Sequence, residues 1–75
     1  MMEKFKEIIC NYVDVDADTI TEDSRFIEDL GMNSYDFMCL IGELEAAMDV
    51  QVEEQDVVNL STVGDAIKYI ESLQN

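Results

Sequence analysis

The sequence predicts an all-α protein, a small four-helix bundle of three main helices plus one short one. Three observations carry that expectation. Apolar residues recur at helical spacing in three separate stretches. No apolar/polar alternation persists long enough to make a strand. The chain has 75 residues, 48% of them apolar. That is room for one small domain and not two, so a single domain over 1–75 is expected.

The first helix is expected over 3–13, because Phe5, Ile8, Ile9, Tyr12 and Val13 fall on one helical face. Residues 14–33 show no sustained period. Phe26, Ile27 and Leu30 punctuate that stretch and are expected to pin it to the core. This long connection is the unusual feature, since loops of that length are uncommon unless functional. Gly31 breaks the chain, and Asn33 is a good N-cap with Asp36 three residues on. A second helix follows over 34–48, with Phe37, Leu40, Ile41, Leu44 and Met48 as its core stripe. A short third helix is expected over 53–60, with Val57 and Leu60 inward and acids in its first turn. Ser61 or Thr62 caps a last helix over 62–73, whose stripe is Val63, Ala66, Ile67, Ile70 and Leu73.

Charge and missing residues narrow the function. Four Lys+Arg stand against 18 Asp+Glu, a net charge of −14. Nucleic acid and anionic membrane surfaces are poor partners for such a chain; basic protein surfaces or cations are better. There is no His, so the usual general base at neutral pH is missing and no Ser-His-Asp or Cys-His site can be built. Cys10 and Cys39 lie too far apart for a CxxC or Cys/His zinc pattern, so no metal is expected. Both cysteines read as small, buried or half-buried apolar residues. The start, Met1-Met2-Glu3-Lys4, lacks the apolar segment of a signal peptide. The longest apolar run, 37–41, is far too short to span a bilayer. A soluble, cytoplasmic protein with reduced thiols is therefore expected; nothing in the sequence argues strongly for an oligomer, so a monomer is expected.

Two segments invite a chemical reading. Asp14-Val15-Asp16-Ala17-Asp18 suggests calcium, but an EF-hand loop starting at Asp14 needs Gly sixth and Glu twelfth. Thr19 and Arg25 stand there, so a solvated acidic loop is expected. Ser34 opens the second helix, where free amide groups and the helix dipole favour a bound or attached phosphate. No base lies nearby to activate it, so it is no nucleophile of its own. Either it is only a helix-start residue or another enzyme modifies it. Spacing alone favours the former.

A resemblance reverses that preference. Phe26-Ile27-Glu28-Asp29-Leu30-Gly31-Met32-Asn33-Ser34-Tyr35-Asp36 resembles the modification-site segment of acyl carrier proteins, which reads like F-x-E-D-L-G-x-D-S-L-D/E. Ser61-Thr62-Val63-Gly64-Asp65-Ala66-Ile67-Lys68-Tyr69-Ile70 is similar to the start of that family's last helix. The resemblance implies that Ser34 carries 4′-phosphopantetheine, installed from coenzyme A by a phosphopantetheinyl transferase. It implies a substrate carrier and not an enzyme: acyl groups ride as thioesters between enzymes of fatty acid or polyketide-type synthesis. An aminoacyl, D-alanyl or peptidyl carrier is the alternative within the class. An unmodified acidic docking subunit is the alternative outside it. Acyl-loading and acyl-processing enzymes with basic or apolar docking surfaces are the implied partners. The bundle is expected to shelter an acyl chain along Ile41, Leu44 and Met48.

The sequence departs from the family beside the serine. Asn33 stands where Asp is usual and Tyr35 where Leu is usual, which suggests a specialised carrier. On the second helix, Tyr35, Cys39, Gly42 and Ala46 point away from the core stripe, with Met38 beside them. Asp36, Glu43, Glu45 and Asp49 flank that apolar centre. The resemblance implies that this helix is the main docking surface for partners, so the docking face is expected to comprise Asn33, Tyr35, Asp36, Met38, Cys39 and Glu45, an apolar grip within an acidic frame.

Overall fold

A computed structural model describes residues 2–74. In chain order the helices are α1 (Met2–Ile9), α2 (Ser34–Met48), α3 (Glu54–Val57) and α4 (Val63–Gln74), with a short 3-10 turn at Ala17–Thr19. Among the described residues there is no strand, only an isolated bridge between Arg25 and Thr62. The four-helix expectation holds, with shorter α1 and α3 than expected.

The α1 helix ends at Ile9 and not at 13. Beyond it the Asn11 and Tyr12 amides donate back to the Ile8 and Ile9 carbonyls at 3.0 and 2.9 Å, three residues each. This tighter winding re-aims Tyr12 toward α2. Its hydroxyl donates to Glu43 Oε1 at 2.8 Å and lies 3.4 Å from the Cys39 carbonyl. The bond to Glu43, which favours the protonated phenol, raises the Tyr12 pKa, with desolvation adding to it.

One core joins the helices. Phe5, Ile8 and Ile9 of α1 meet Leu40, Ile41 and Leu44 of α2 and Val63, Ala66, Ile67 and Ile70 of α4. The long connection adds Ile20, Phe26, Leu30 and Met32, and α3 adds Val57. Phe37 and Met48 are half-buried against this core. Phe26 packs on Phe37 with ring centroids 5.0 Å apart and planes tilted by 44°, within the separation typical of aromatic pairs.

Three apolar residues expected inside lie elsewhere. Ile27 is 49% exposed and Leu73 37% exposed. Ile27 follows buried Phe26 in a turn, so it faces outward; Leu73 lies one residue from the end of α4, beyond the packed turns. Cys10 is exposed rather than buried, because it sits past the last core residue of α1; Cys39 is half-buried.

The long connection is an ordered strap. Asp16 caps its 3-10 turn by accepting the Asp18 amide at 3.1 Å, so this acidic stretch has a local structural job. Farther on, the strap pairs with the start of α4. The Phe26 amide donates to the Ser61 carbonyl at 3.1 Å, Val63 to Ser24 at 2.9 Å and Gly64 to Glu22 at 2.8 Å. Gly64 permits the approach: a Cβ there would stand 3.0 Å from the Glu22 carbonyl oxygen.

Candidate functional site

Ser34 is exposed and is the first residue of α2. Its placement is built from both sides. Upstream, the Asp29 carboxylate accepts the Arg25 amide at 2.9 Å and the guanidinium Nε at 3.2 Å. The Arg25 guanidinium also pairs with Glu28 at 2.6 Å. The backbone bond from Arg25, then its guanidinium, hold the Asp29 carboxyl below the usual aspartate value. Gly31 then takes φ +74°, the left-handed region that a glycine enters without strain. The Met32 amide closes the turn on the Phe26 carbonyl at 3.0 Å, and the buried Met32 side chain anchors the approach to the helix.

Downstream, Asn33 Oδ1 accepts the Asp36 amide at 2.7 Å, a cap worth about 1 kcal/mol. The Ser34 and Tyr35 amides, in the first turn, have no carbonyl of their own helix to bind. They stay available beside the serine hydroxyl, at the positive end of a 15-residue helix. An exposed hydroxyl, free amides and a favourable dipole fit an attached phosphodiester.

A groove of about 400 Å³ opens next to Ser34. Phe37 and Met38 of α2 form one side, Val57, Val58 and Leu60 the other, and Phe26 and Ile27 of the strap the floor and edge. Arg25, Glu28 and Ser61 supply polar lining. Around the mouth, Tyr35 is 77% exposed, Met38 46% and Val58 83%. An apolar collar therefore surrounds the serine.

The expected docking residues divide into two sets. Asn33, Tyr35 and Met38 are exposed at the start of α2, and Asp36 is half-buried among them. Cys39 is half-buried, its carbonyl near the Tyr12 hydroxyl. Glu45 is half-buried too and accepts the Val52 amide at 2.9 Å, tying the end of α2 to the next segment. Ile41 and Leu44 are buried in the core, and Met48 packs at its edge. None of these three lines the open groove. Ile27, Val57, Val58 and Leu60 do, and sequence reasoning assigned them no site role. Their one signal was apolar character off the helical stripe, at Ile27 and Val58.

The last helix is set by a reciprocal cap. Thr62 Oγ1 accepts the Asp65 amide at 3.1 Å, and Asp65 Oδ2 accepts the Thr62 amide at 3.3 Å and the Ser61 hydroxyl at 3.1 Å. The Thr62 amide, then the Ser61 hydroxyl, lower the Asp65 pKa. Asp29 and Asp65 thus fix the two sides of the Arg25–Thr62 bridge, from which Arg25 and Ser61 reach the groove.

Comparison with known proteins agrees with this geometry. The family described as "Phosphopantetheine attachment site" matches residues 3–70. The fold superposes on the acyl carrier protein from Enterococcus faecalis with a TM-score of 0.83 and 32% identity, over 96% of this chain and 91% of that one. A provisionally assigned acyl carrier protein from Mycobacterium tuberculosis gives 0.84 and 29%, over 95% of each chain. Among the described residues no helix is long and apolar enough to cross a membrane. The chain belongs to the phosphopantetheine-attachment family as an acyl carrier protein: a carrier and not a catalyst, whose cofactor is 4′-phosphopantetheine.

Proposed function

We propose that Ser34 bears the 4′-phosphopantetheine and that the chain, as one carrier module, delivers acyl groups between cytoplasmic enzymes of fatty acid or polyketide-type synthesis. One observation carries the assignment to Ser34: its exposed hydroxyl opens the longest helix, at the mouth of the apolar groove. When attached, the group supplies a terminal thiol that holds acyl groups as thioesters. The residues of this chain present, orient and shelter. Asn33 holds the helix start, so the serine meets a phosphopantetheinyl transferase in a fixed position. The free Ser34 and Tyr35 amides stabilise negative charge there. Phe37, Met38, Val57 and Val58 offer an acyl chain a partly dry groove. Ile41 and Leu44 lie deeper, and a chain reaches them only as the core opens; Met48, half-buried at the core's edge, lies outside the groove.

Partner docking centres on Tyr35 and Met38, with Asn33 and Asp36 beside them and Cys39 and Glu45 at the margin. Exposed apolar side chains in an acidic setting fit a partner that grips by apolar contact and is steered by its own Lys and Arg. The −14 charge then acts mainly on association rate.

The test is intact mass after co-expression with a broad-specificity transferase. Wild type gains one phosphopantetheinyl group and Ser34→Ala gains none. Addition to Ser34→Ala would move the site. No addition to wild type under several transferases would favour an unmodified docking subunit.

A further inference from the structure

The α3 helix has four residues, too few to hold a helical turn in water unaided. Its N-cap, Glu53, makes no side-chain capping bond. Yet Val57, and Val58 after it, form one wall of the groove beside Ser34. Burial of Val57 holds that wall from within. The remaining ties come from other helices. The Tyr69 hydroxyl, on α4, accepts the Glu53 amide at 3.1 Å and donates to Asp56 Oδ2 at 2.8 Å. Glu45, on α2, takes the Val52 amide just upstream. One phenol oxygen thus spans the start and middle of the turn, using both its donor and its acceptor capacity.

We propose that Tyr69 is a positioning residue: it fixes the α3 wall of the groove and thereby sets how fully the groove shelters a group attached at Ser34. The sheltering part rests on the function proposed above. Tyr69 is half-buried, and its ring belongs to the face of α4 turned toward α3. Tyr69→Phe keeps that ring and deletes only the oxygen, so it separates hydrogen bonding from packing. Both α3 bonds are lost together, because both run through the same atom.

The experiment has two arms. Amide hydrogen exchange on the phosphopantetheinyl form, with no acyl group, reads the wall itself. The Asp56, Asn59 and Leu60 amides are hydrogen-bonded to the Glu53, Asp56 and Val57 carbonyls. In Tyr69→Phe they should exchange about tenfold faster, with α2 amides little changed. Hydroxylamine cleavage of acetyl and octanoyl thioesters reads the sheltering. Wild type should lose octanoyl more slowly than acetyl, and Tyr69→Phe should narrow that ratio with the acetyl rate unchanged. A purely structural role would not alter the ratio selectively.

Unchanged α3 exchange would overturn the proposal. Faster exchange with an unchanged ratio would overturn control of the groove by Tyr69. Equal cleavage of both thioesters in wild type would overturn the sheltering, and this proposal with it, while leaving attachment at Ser34 intact. Where Tyr69→Phe fails to fold, Asp56→Ala removes one of the two bonds and should act in the same direction with a smaller effect.

Discussion

Replacing glycine by alanine should stabilise the protein at one position and destabilise it at two others, and the structure says why. Gly42 lies in the middle of α2 and is exposed, with nothing within 4 Å of the position a Cβ would take. Ala there gains helix propensity of about 0.8–1.0 kcal/mol and meets nothing. Gly64 is the second residue of α4, so its propensity gain is at most the same. Its Cβ, however, would stand 3.0 Å from the Glu22 carbonyl oxygen and 3.2 Å from Glu22 Cβ. Relief needs a shift of a few tenths of an ångström. The oxygen that must shift accepts Gly64's own amide at 2.8 Å, and Val63 holds the same strap at 2.9 Å. Overpacking of this kind costs about 1–3 kcal/mol, so it outweighs the gain and leaves a net loss of about 1 kcal/mol. Gly31 has open space around it, but its φ of +74° costs an L-residue about 1–2 kcal/mol. For a chain this size, 1 kcal/mol moves Tm by about 4–8 °C. Thermal unfolding followed by circular dichroism, at about 0.2 M salt to screen the net charge, reads all three. Gly42→Ala should melt above wild type, and Gly64→Ala and Gly31→Ala below it. Gly64→Ala melting as high as Gly42→Ala would refute the close docking of the strap on α4.

Two further outcomes are expected. Asp65 is more acidic folded than unfolded, so its contribution is full above its ordinary value of 3.8 and is lost as pH falls through the lower folded value. The stability gap between wild type and Asp65→Asn, from urea midpoints, should therefore be wider at neutral pH than in strong acid; a gap independent of pH would contradict the capping bonds. In a binding titration with a dedicated partner enzyme, Tyr35→Ala or Met38→Ala should weaken binding more than Glu43→Gln, since Glu43 is already engaged by Tyr12. The reverse ranking would mean that the partner grips charge and not the apolar collar.

What was legible in the sequence follows from where periodic burial operates. Leu40, Ile41 and Leu44, and Val63, Ala66, Ile67 and Ile70, were all placed on the right faces, because each lies on a regular helix with one side in the core. Asn33 announced the start of α2 through local chemistry alone. Ile20 and Met32 carry no such signal. Their burial depends on the strap closing against α4 through Glu22, Ser24 and Ser61, pairings between residues about 40 apart in sequence that no local pattern encodes. The same limit applied at the site. The serine and its cap were readable, whereas the groove was not. Its far wall stands on a four-residue helix whose position depends on Tyr69, 13 residues beyond Asp56. Glu45 illustrates the converse: its spacing suggested an outward docking role, and its carboxylate is occupied by the Val52 amide.

The most direct test of attachment at Ser34 is fragmentation mass spectrometry of the protein purified from its own cell, without added transferase. The predicted result is one phosphopantetheinyl group, with or without an acyl load, located on Ser34. A chain wholly unmodified at Ser34, or bearing the group on another serine such as Ser61 or Ser72, would contradict it.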